Sequence, residues 1–200
     1  MAEKSAKRII GIDPSLTRTG VAVLMDGQPP VPFSIVTSKK DGQDYERQKF
    51  IIKGVLPAVK KGSVIVYEDF ADAGRFQVSS KLVERIELWG VMKMLFSIRA
   101  RTPYLLVRPA HLKSFIFGRA SAHKKEVRKA LENRWGYDVK NFDEADAMAL
   151  AIIGKALLNG GEGFELSRSQ KSVLRKVSAY ETNPSTLRRL EFFGWKVPDV

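Results

Sequence analysis

The stretch DEADAMALAII, residues 143–153, places two aspartates at the start of a strongly apolar segment. Its length and composition predict a buried helix from about residue 143 to 158. In a helix, Asp143 and Asp146 lie three positions apart and share one face near the N-terminus, where the dipole favours negative charge. Because the residues that follow are apolar on nearly every side, we expect this first turn to face something more specific than solvent. The alternative is an N-capping Asp followed by an Asp that stabilises the helix dipole.

Two further carboxylates follow apolar runs elsewhere in the chain. Asp13 ends the run at residues 9–12, and Glu68 ends the run at residues 64–67. A single acid at a strand end is an ordinary turn residue, so the indication comes from the set of four. Carboxylate oxygens suit hard divalent cations such as Mg²⁺, and two such ions ~4 Å apart support in-line phosphoryl displacement. The four acids therefore predict a two-ion site that hydrolyses a phosphodiester.

Other residue types add little to this set of possible ligands. The chain has no cysteine, which excludes disulfides and thiolate-bound metals, so oxygen or imidazole must hold any metal. We expect the two histidines, His111 and His123, at the surface or at a helix cap rather than as ligands.

The remaining pattern predicts a mixed sheet flanked by helices. Strands are predicted at residues 8–13, 19–25, 33–37, 64–68 and 104–107. Helices are predicted at 44–60, closed by Gly62, at 77–99, and from Ser121 to residue 135, where Gly136 ends a basic helix. Strands followed by alternating helix and strand are typical of an α/β domain.

The clearest break in the chain is the glycine-rich segment at residues 159–163. We expect one main domain at 1–158, a linker at 159–168 and a short helical C-terminal extension at 169–200. Within the extension, residues 169–180 and 184–193 are predicted helices. Asn183 caps the second helix, Pro184 takes its first position, and Gly194 lies just past its end.

The charge of the chain indicates a polyanionic partner. Thirty-four Lys and Arg against 22 Asp and Glu give a net charge of +12, and residues 108–140, with nine basic and three acidic residues, hold half of it. Such clustering favours a nucleic-acid backbone, with a solvated basic surface as the alternative. No apolar run approaches the ~20 residues that cross a bilayer, and residues 1–8 form no signal-peptide core. We therefore expect a cytoplasmic protein with no membrane partner.

Two groups of side chains are candidates for DNA contact. In the basic helix, cationic residues share two adjacent faces, opposite the apolar Val127, Leu131 and Trp135. These candidates are Lys124, Lys125, Arg128 and Lys129. After Glu68, aromatic and Arg groups suited to stacking on unpaired bases follow in a loop, although core packing is the alternative. They are Phe70, Arg75 and Phe76.

The helix predicted at 77–99 is apolar on two stripes. The stripe expected to cover the sheet consists of Val78, Leu82, Ile86, Trp89, Met92 and Phe96. The second stripe consists of Leu88, Val91, Leu95 and Ile98. Since it has no evident partner in the chain, and Gly90 allows close approach, it predicts a dimer interface. Burial of both stripes in one core is the alternative.

Four segments, in order over residues 7–158, together resemble the RuvC family of Holliday-junction resolvases. They are Gly11-Ile12-Asp13-Pro14 with Thr19-Gly20, Val66-Tyr67-Glu68, Ser121-Ala122-His123-Lys124, and DEADAMALA at 143–151. The sequence departs from the family pattern at two places. Ser15-Leu16 replaces the Gly-Ser usual after Asp-Pro. Phe70 lies two residues after Glu68, where the family's base-contacting aromatic usually lies three after, so Phe70 and Phe76 are both candidates.

The resemblance implies an RNase H-like nuclease fold for residues 1–158, a homodimer, and Mg²⁺- or Mn²⁺-dependent cleavage of four-way DNA junctions. It also implies that Asp13, Glu68, Asp143 and Asp146 bind metal. Lys113 and Lys124 match positions where the family carries lysines near the cleaved phosphate.

Several alternatives remain beside junction resolution. Within the nuclease class, they are a branch or flap nuclease of broad specificity and an RNase H-like enzyme acting on RNA–DNA hybrids. A DNA-binding protein without catalysis explains the charge but leaves the four acids without a role. An actin-like ATPase needs two domains around its nucleotide, and ~200 residues are too few for that.

Overall fold

Five strands form one mixed sheet in the order β3-β2-β1-β4-β5. They are β1 (Arg8–Asp13), β2 (Arg18–Met25), β3 (Val31–Val36), β4 (Val64–Glu68) and β5 (Tyr104–Val107). The first three pair antiparallel, whereas β4 and β5 extend the sheet in parallel from the other edge of β1. This computed structural model describes residues 8–69, 80–99, 101–118, 124–159 and 163–181.

Helices cover both faces of the sheet. They are α1 (Asp44–Val55), α2 (Ser80–Arg99), α3 (Pro109–Phe117), α4 (Lys124–Trp135), α5 (Phe142–Leu158) and α6 (Arg168–Glu181). On one face α5 crosses β1 and β2, with α3, α4 and α6 packed around it. On the other face, α1 and α2 enclose a second apolar core. None of the described helices is long and apolar enough to span a membrane.

Glycines in the sheet let α5 approach it closely. A Cβ at Gly11 would overlap the carbonyl oxygen of Ala147, and a Cβ at Gly20 would overlap that of Asp143. Gly20 is the register partner of Asp13 across β1 and β2. The first turn of α5 therefore lies directly beside the end of β1.

The expected mixed sheet flanked by helices is confirmed. The third strand is Val31–Val36 rather than 33–37. The first helix ends at Val55 rather than at residue 60, because Pro57, which has no N–H to donate, follows in a short 3₁₀ turn. The first C-terminal helix, expected at 169–180, is α6.

Helix α3 was not expected from the sequence. Pro109 occupies its first turn, and Gly118 ends it with φ of 76°. Both residues are ordinary helix boundaries, but the helix has only nine residues, Pro109 included, and they show no clear polar face. Some expected features lie outside the described residues: the helix at 184–193, residues 77–79 of the long helix, Ser121, and residues 160–162 of the linker.

The orientation of α2 differs from the expectation. Leu88, Met92 and Phe96 are buried against the sheet. Leu95 packs, partly buried, on the same core, and Val91 is also partly buried. The placement of Leu88 and Leu95 on the outer stripe was therefore wrong. Ile86, expected over the sheet, is 41% exposed. The outer stripe of α2 instead consists of Val83, Ile86, Met94 and Ile98. Apolar residues occur all around this helix, so periodicity alone could not decide which side faces the sheet.

Candidate active site

Asp13 lies at the end of β1, where its side chain is 4% exposed. The turn that follows is fixed by hydrogen bonds from both of its sides. The Thr19 hydroxyl donates to the Ser15 carbonyl oxygen at 2.7 Å and accepts from the Ser15 amide at 3.2 Å. The buried guanidinium of Arg47 donates to the Leu16 carbonyl oxygen at 2.7 Å. The Ser15-Leu16 turn therefore holds the backbone beside Asp13 in one place.

Glu68 ends β4, the parallel neighbour of β1, so its carboxylate lies at the same edge of the sheet as Asp13. One side chain joins the two. The Nη2 atom of Arg85 donates to Asp13 Oδ1 at 3.2 Å and to Glu68 Oε2 at 3.1 Å. The Nε atom of Arg85 donates to the Pro14 carbonyl oxygen at 3.0 Å. The two carboxylates thus lie around a single cationic nitrogen.

The start of α5 adds Asp143 and Asp146 to this edge of the sheet. The Asn141 side chain caps the helix by accepting from the Glu144 amide at 3.0 Å. The Asp143 side chain is 29% exposed and lies 4.0 Å from Arg18 Nε. Asp146 is 6% exposed, one turn further in. Since the backbone of Asp143 packs on Gly20, the first turn of α5 is held beside Asp13.

The chemistry of these groups fits a hard divalent cation. All four side chains offer carboxylate oxygens, which Mg²⁺ and Mn²⁺ prefer. The Arg85 nitrogen between Asp13 and Glu68 marks a place that accepts positive charge. Within the described ranges, no three His, Asp or Glu side chains converge closely enough to hold a metal ion. The four side chains therefore have the chemistry of divalent-cation ligands, whereas the position between the two strand carboxylates is taken by a guanidinium.

Glu144, in the middle of the same motif, has a structural role that was not expected. Its Oε1 accepts from Asn141 Nδ2 at 2.8 Å and from the Ser34 hydroxyl at 3.1 Å. Its Oε2 accepts from the Lys140 amide at 2.9 Å. These bonds tie α5 to β3. The sequence signal for them is Asn141 three positions before Glu144, which is capping-box spacing.

Two more charged residues near the site were not expected. Arg85 precedes Leu88 by three and Met92 by seven and so shares the buried side of α2. The sequence alone could not indicate this, because it does not show that Leu88 faces the sheet. Asp69 follows Glu68 and is 7% exposed. Its amide donates to the Val107 carbonyl oxygen at 2.9 Å, while its Oδ2 has no hydrogen-bond partner in the part of the chain that is described.

The expected DNA contacts are only partly described. Lys113 lies on α3 and is partly exposed, as is His111. On α4, Arg128 and Lys129 are exposed while Val127 and Leu131 are buried, which confirms the opposite polar and apolar faces. Lys124 and Lys125 form the first turn of α4, but their side chains lie outside the described part, as do Phe70, Arg75, Phe76 and His123.

No family model matches the chain, but individual relatives do. The crossover junction endodeoxyribonuclease RuvC of Streptomyces griseus is 30% identical over 154 residues, which cover 72% of this chain and 73% of the relative. The protein of the same name from Prochlorococcus marinus MIT 9313 is 29% identical over 154 residues, covering 74% of this chain and 97% of the relative.

Solved structures share the fold. Thermus thermophilus RuvC covers 86% of this chain and 95% of its own at 18% identity, with a TM-score of 0.58. The same protein in complex with a Holliday junction substrate covers 73% of this chain and 91% of its own at 20% identity, with a TM-score of 0.57. These matches confirm the expected RNase H-like fold. Together with the identity to the Streptomyces relative, they lead to one conclusion: the chain belongs to the RuvC family of crossover junction endodeoxyribonucleases.

Proposed function

We propose that this chain is a structure-selective DNA endonuclease that resolves four-way (Holliday) junctions by two-metal-ion phosphodiester hydrolysis. The observation that supports it most directly is the contact of Asp13 and Glu68 with one cationic nitrogen, at 3.2 and 3.1 Å. Two carboxylates so arranged, beside the first turn of α5, suit a divalent cation that also coordinates a substrate phosphate. The names of the relatives indicate four-way DNA as the substrate.

Asp13, Glu68, Asp143 and Asp146 are the proposed ligands of Mg²⁺ or Mn²⁺, with two ions in each site. When bound, such ions activate a water and stabilise the leaving oxygen of an in-line displacement. The chain's own contribution is orientation. Asp13 and Glu68 extend from neighbouring strands, and the other two acids from a helix seated on the glycines of β1 and β2. Ligands carried by packed elements keep their relative positions better than ligands on loops.

The proposed phosphate contacts are Lys113, Lys124, Lys125, Arg128 and Lys129. Lys113 lies in the helix that follows β5, and the end of β5 pairs with Glu68 through Val107. Helix α3 therefore begins at the end of the sheet that carries Asp13 and Glu68, which supports a contact of Lys113 near the scissile phosphate. Arg128 and Lys129 are exposed on α4, where they suit backbone phosphates further along an arm.

A second proposed contact is with the bases at the branch point. Phe70 or Phe76, with Arg75, would stack on bases that are unpaired there. The support for this is their place in the sequence directly after Glu68.

We further propose that the chain acts as a homodimer through the outer stripe of α2. Val83, Ile86, Met94 and Ile98 are 42%, 41%, 56% and 70% exposed. A Cβ added to Gly90 between them would meet no atom of the described residues within 4 Å, so a second backbone can approach there. An exposed apolar stripe opposite the buried side of a helix favours a two-fold contact with another copy, although Glu87 is exposed on the same side.

Cleavage of a substrate panel tests the function. The panel contains a four-way junction, a flap, a linear duplex and an RNA–DNA hybrid, each incubated with Mg²⁺, with Mn²⁺ or with EDTA. We expect paired, symmetric incisions in the junction with either metal, little cleavage of the other substrates, and none in EDTA. If the flap or the RNA–DNA hybrid is cleaved in preference to the junction, the proposal of junction resolution is wrong, and the chain is a branch or flap nuclease or an RNase H-like enzyme. Binding without cleavage under any condition would indicate a DNA-binding protein.

A further inference from the structure

The side chain of Arg85 lies between two of the proposed metal ligands, Asp13 and Glu68. Its Nη2 atom donates to Asp13 Oδ1 at 3.2 Å and to Glu68 Oε2 at 3.1 Å, and its side chain is 34% exposed. The carboxylate of Asp13 is 4% exposed and that of Glu68 is 16% exposed. Two like charges so near each other and so shielded from water repel, unless a cation lies between them.

Contacts other than those with the two carboxylates orient the guanidinium of Arg85. Its Nε atom donates to the Pro14 carbonyl oxygen at 3.0 Å, a bond that involves neither carboxylate. Leu88 and Met92, on the same side of α2, are fully buried and hold the helix against the sheet. The guanidinium is therefore oriented by packing and by the backbone, with one nitrogen directed between the acids.

We propose that Arg85 is an internal cation that takes the place of a metal ion: it holds Asp13 and Glu68 together in the metal-free enzyme and is displaced from them when a divalent ion binds. This rests on the proposed function, since it requires these acids to be metal ligands. The same nitrogen lies within hydrogen-bond distance of both carboxylates, so it competes with a metal ion for their oxygens. Arg85 thus stabilises the metal-free site and weakens its affinity for metal in the absence of DNA.

Thermal melting without DNA gives a first test that needs no cleavage. In EDTA, Arg85→Gln should melt about 3 °C or more below wild type, because two partly buried carboxylates lose their shared cation. Saturating Mg²⁺ should remove the difference, so the metal-induced rise in melting temperature should be larger in the variant. Arg18→Gln is the matched control. It removes the same charge beside Asp143 at 4.0 Å, where both groups are more exposed, and it should shift neither value comparably.

Titration with Mn²⁺, followed by the electron paramagnetic resonance signal of the free ion, gives the second test. Arg85→Gln should bind Mn²⁺ more tightly than wild type by about fivefold or more, because the competing ion pair is gone. Arg85→Lys keeps the charge but loses the bond to Pro14, and should lie between the two. If the Gln variant fails to fold, the Lys variant alone decides: affinity equal to or weaker than wild type overturns the role.

The outcomes separate this role from the proposed metal site. Equal Mn²⁺ affinity in wild type and folded Arg85→Gln would overturn the role of Arg85 and leave the metal site standing. An equal gain in Arg18→Gln would also overturn it, because net charge alone would then explain the effect. Absence of Mn²⁺ binding in all variants would overturn the metal site and the role of Arg85 together.

Discussion

Asp143, Glu144 and Asp146 lie within one helical turn, yet their side chains have different surroundings. The oxygens of Glu144 accept three hydrogen bonds, from Ser34, Lys140 and Asn141, and the residue is 3% exposed. Metal coordination by Glu144 would break bonds that hold α5 to β3. Asp143 instead lies beside Arg18 at the sheet edge next to Asp13. These hydrogen bonds distinguish Glu144, which has a structural role, from the proposed metal ligands Asp143 and Asp146.

Amide substitutions along this turn should therefore have opposite effects. Asp143→Asn or Asp146→Asn should abolish junction cleavage while the protein stays folded and still binds the junction. Glu144→Gln should keep cleavage by the folded enzyme but lower the free energy of unfolding by about 1–3 kcal/mol, because its amide group would face donors. Single-turnover cleavage and urea denaturation measure the two effects. An inactive Glu144→Gln of normal stability, or an active Asp146→Asn, would contradict these assignments.

Tyr67, next to Glu68, is a second residue whose environment has consequences. Its ring is fully buried and meets Trp89 and Tyr104 edge-on, with centroids 6.5 and 6.4 Å apart. Its hydroxyl has no hydrogen-bond partner among the described residues. Burial raises the pKa of this phenol well above its ordinary value. The hydroxyl is therefore a buried polar group whose desolvation is not compensated.

Removing this hydroxyl should stabilise the protein. Tyr67→Phe should raise the free energy of unfolding at neutral pH by about 1 kcal/mol. The unfolded phenol ionises at pH ~10 and the folded phenol only at higher pH. The wild-type free energy of unfolding is therefore unaffected by this ionisation below pH ~10 and falls as pH rises from there through the folded pKa, because the unfolded state loses its proton first. The variant should therefore lose less stability above that pH. Urea denaturation from neutral to alkaline pH checks both effects, with Tyr45→Phe, at a residue 70% exposed, as the unaffected control.

At the scale of elements, the sequence predicts best where one element is a single apolar run with clear ends. Strands β1, β4 and β5 begin and end as expected, and α5 begins one residue early at Phe142 because Asn141 caps it. The position of the four acids at strand ends and a helix start follows from the same runs. Prediction fails where the deciding contact is distant in sequence. Arg85 reaches Asp13 across 72 positions, and no local spacing reports such a contact.

The contact between α5 and β2 is an element-scale feature with a direct test. Gly20→Ala would place a methyl group on the carbonyl oxygen of Asp143, so α5 must shift. We expect a loss of about 1–3 kcal/mol in the free energy of unfolding. We also expect a larger fractional loss of cleavage than of junction binding, since Asp143 and Asp146 move relative to Asp13.

Gly90→Ala is the control for that substitution. Gly90 lies on exposed helix surface, and a Cβ there would meet no described atom within 4 Å. By helix propensity alone, Ala at this position should keep or slightly raise the free energy of unfolding of the monomer. Because Gly90 also lies in the proposed dimer contact, the stabilities of the two glycine variants are compared in the Met94→Glu background. A Gly20→Ala protein as stable and as active as wild type would show that the close approach of α5 does not position the acids.

At the scale of the whole molecule, one helix links two proposed functions. Arg85 on α2 contacts Asp13 and Glu68, and the neighbouring Ile86 belongs to the exposed outer stripe. A four-way junction offers two equivalent strands, so a two-fold enzyme can place one active site on each. An interface along this stripe would therefore also set how far apart the two active sites lie.

A charge on the outer stripe of α2 tests this arrangement. Met94 is 56% exposed, so Met94→Glu should fold normally as a monomer, but a dimer would bury its carboxylate without a partner, at a cost of several kcal/mol. Sedimentation should then give the monomer mass, and paired incision of a junction should fall steeply, while the Mg²⁺-induced rise in melting temperature stays at the wild-type value. Val31→Glu is the matched control: Val31 is 49% exposed and lies on the edge strand β3, outside the outer stripe of α2, so this variant should remain dimeric. Wild-type protein that sediments as a monomer both alone and on a junction would contradict the dimer and favour a branch nuclease that cuts one strand at a time.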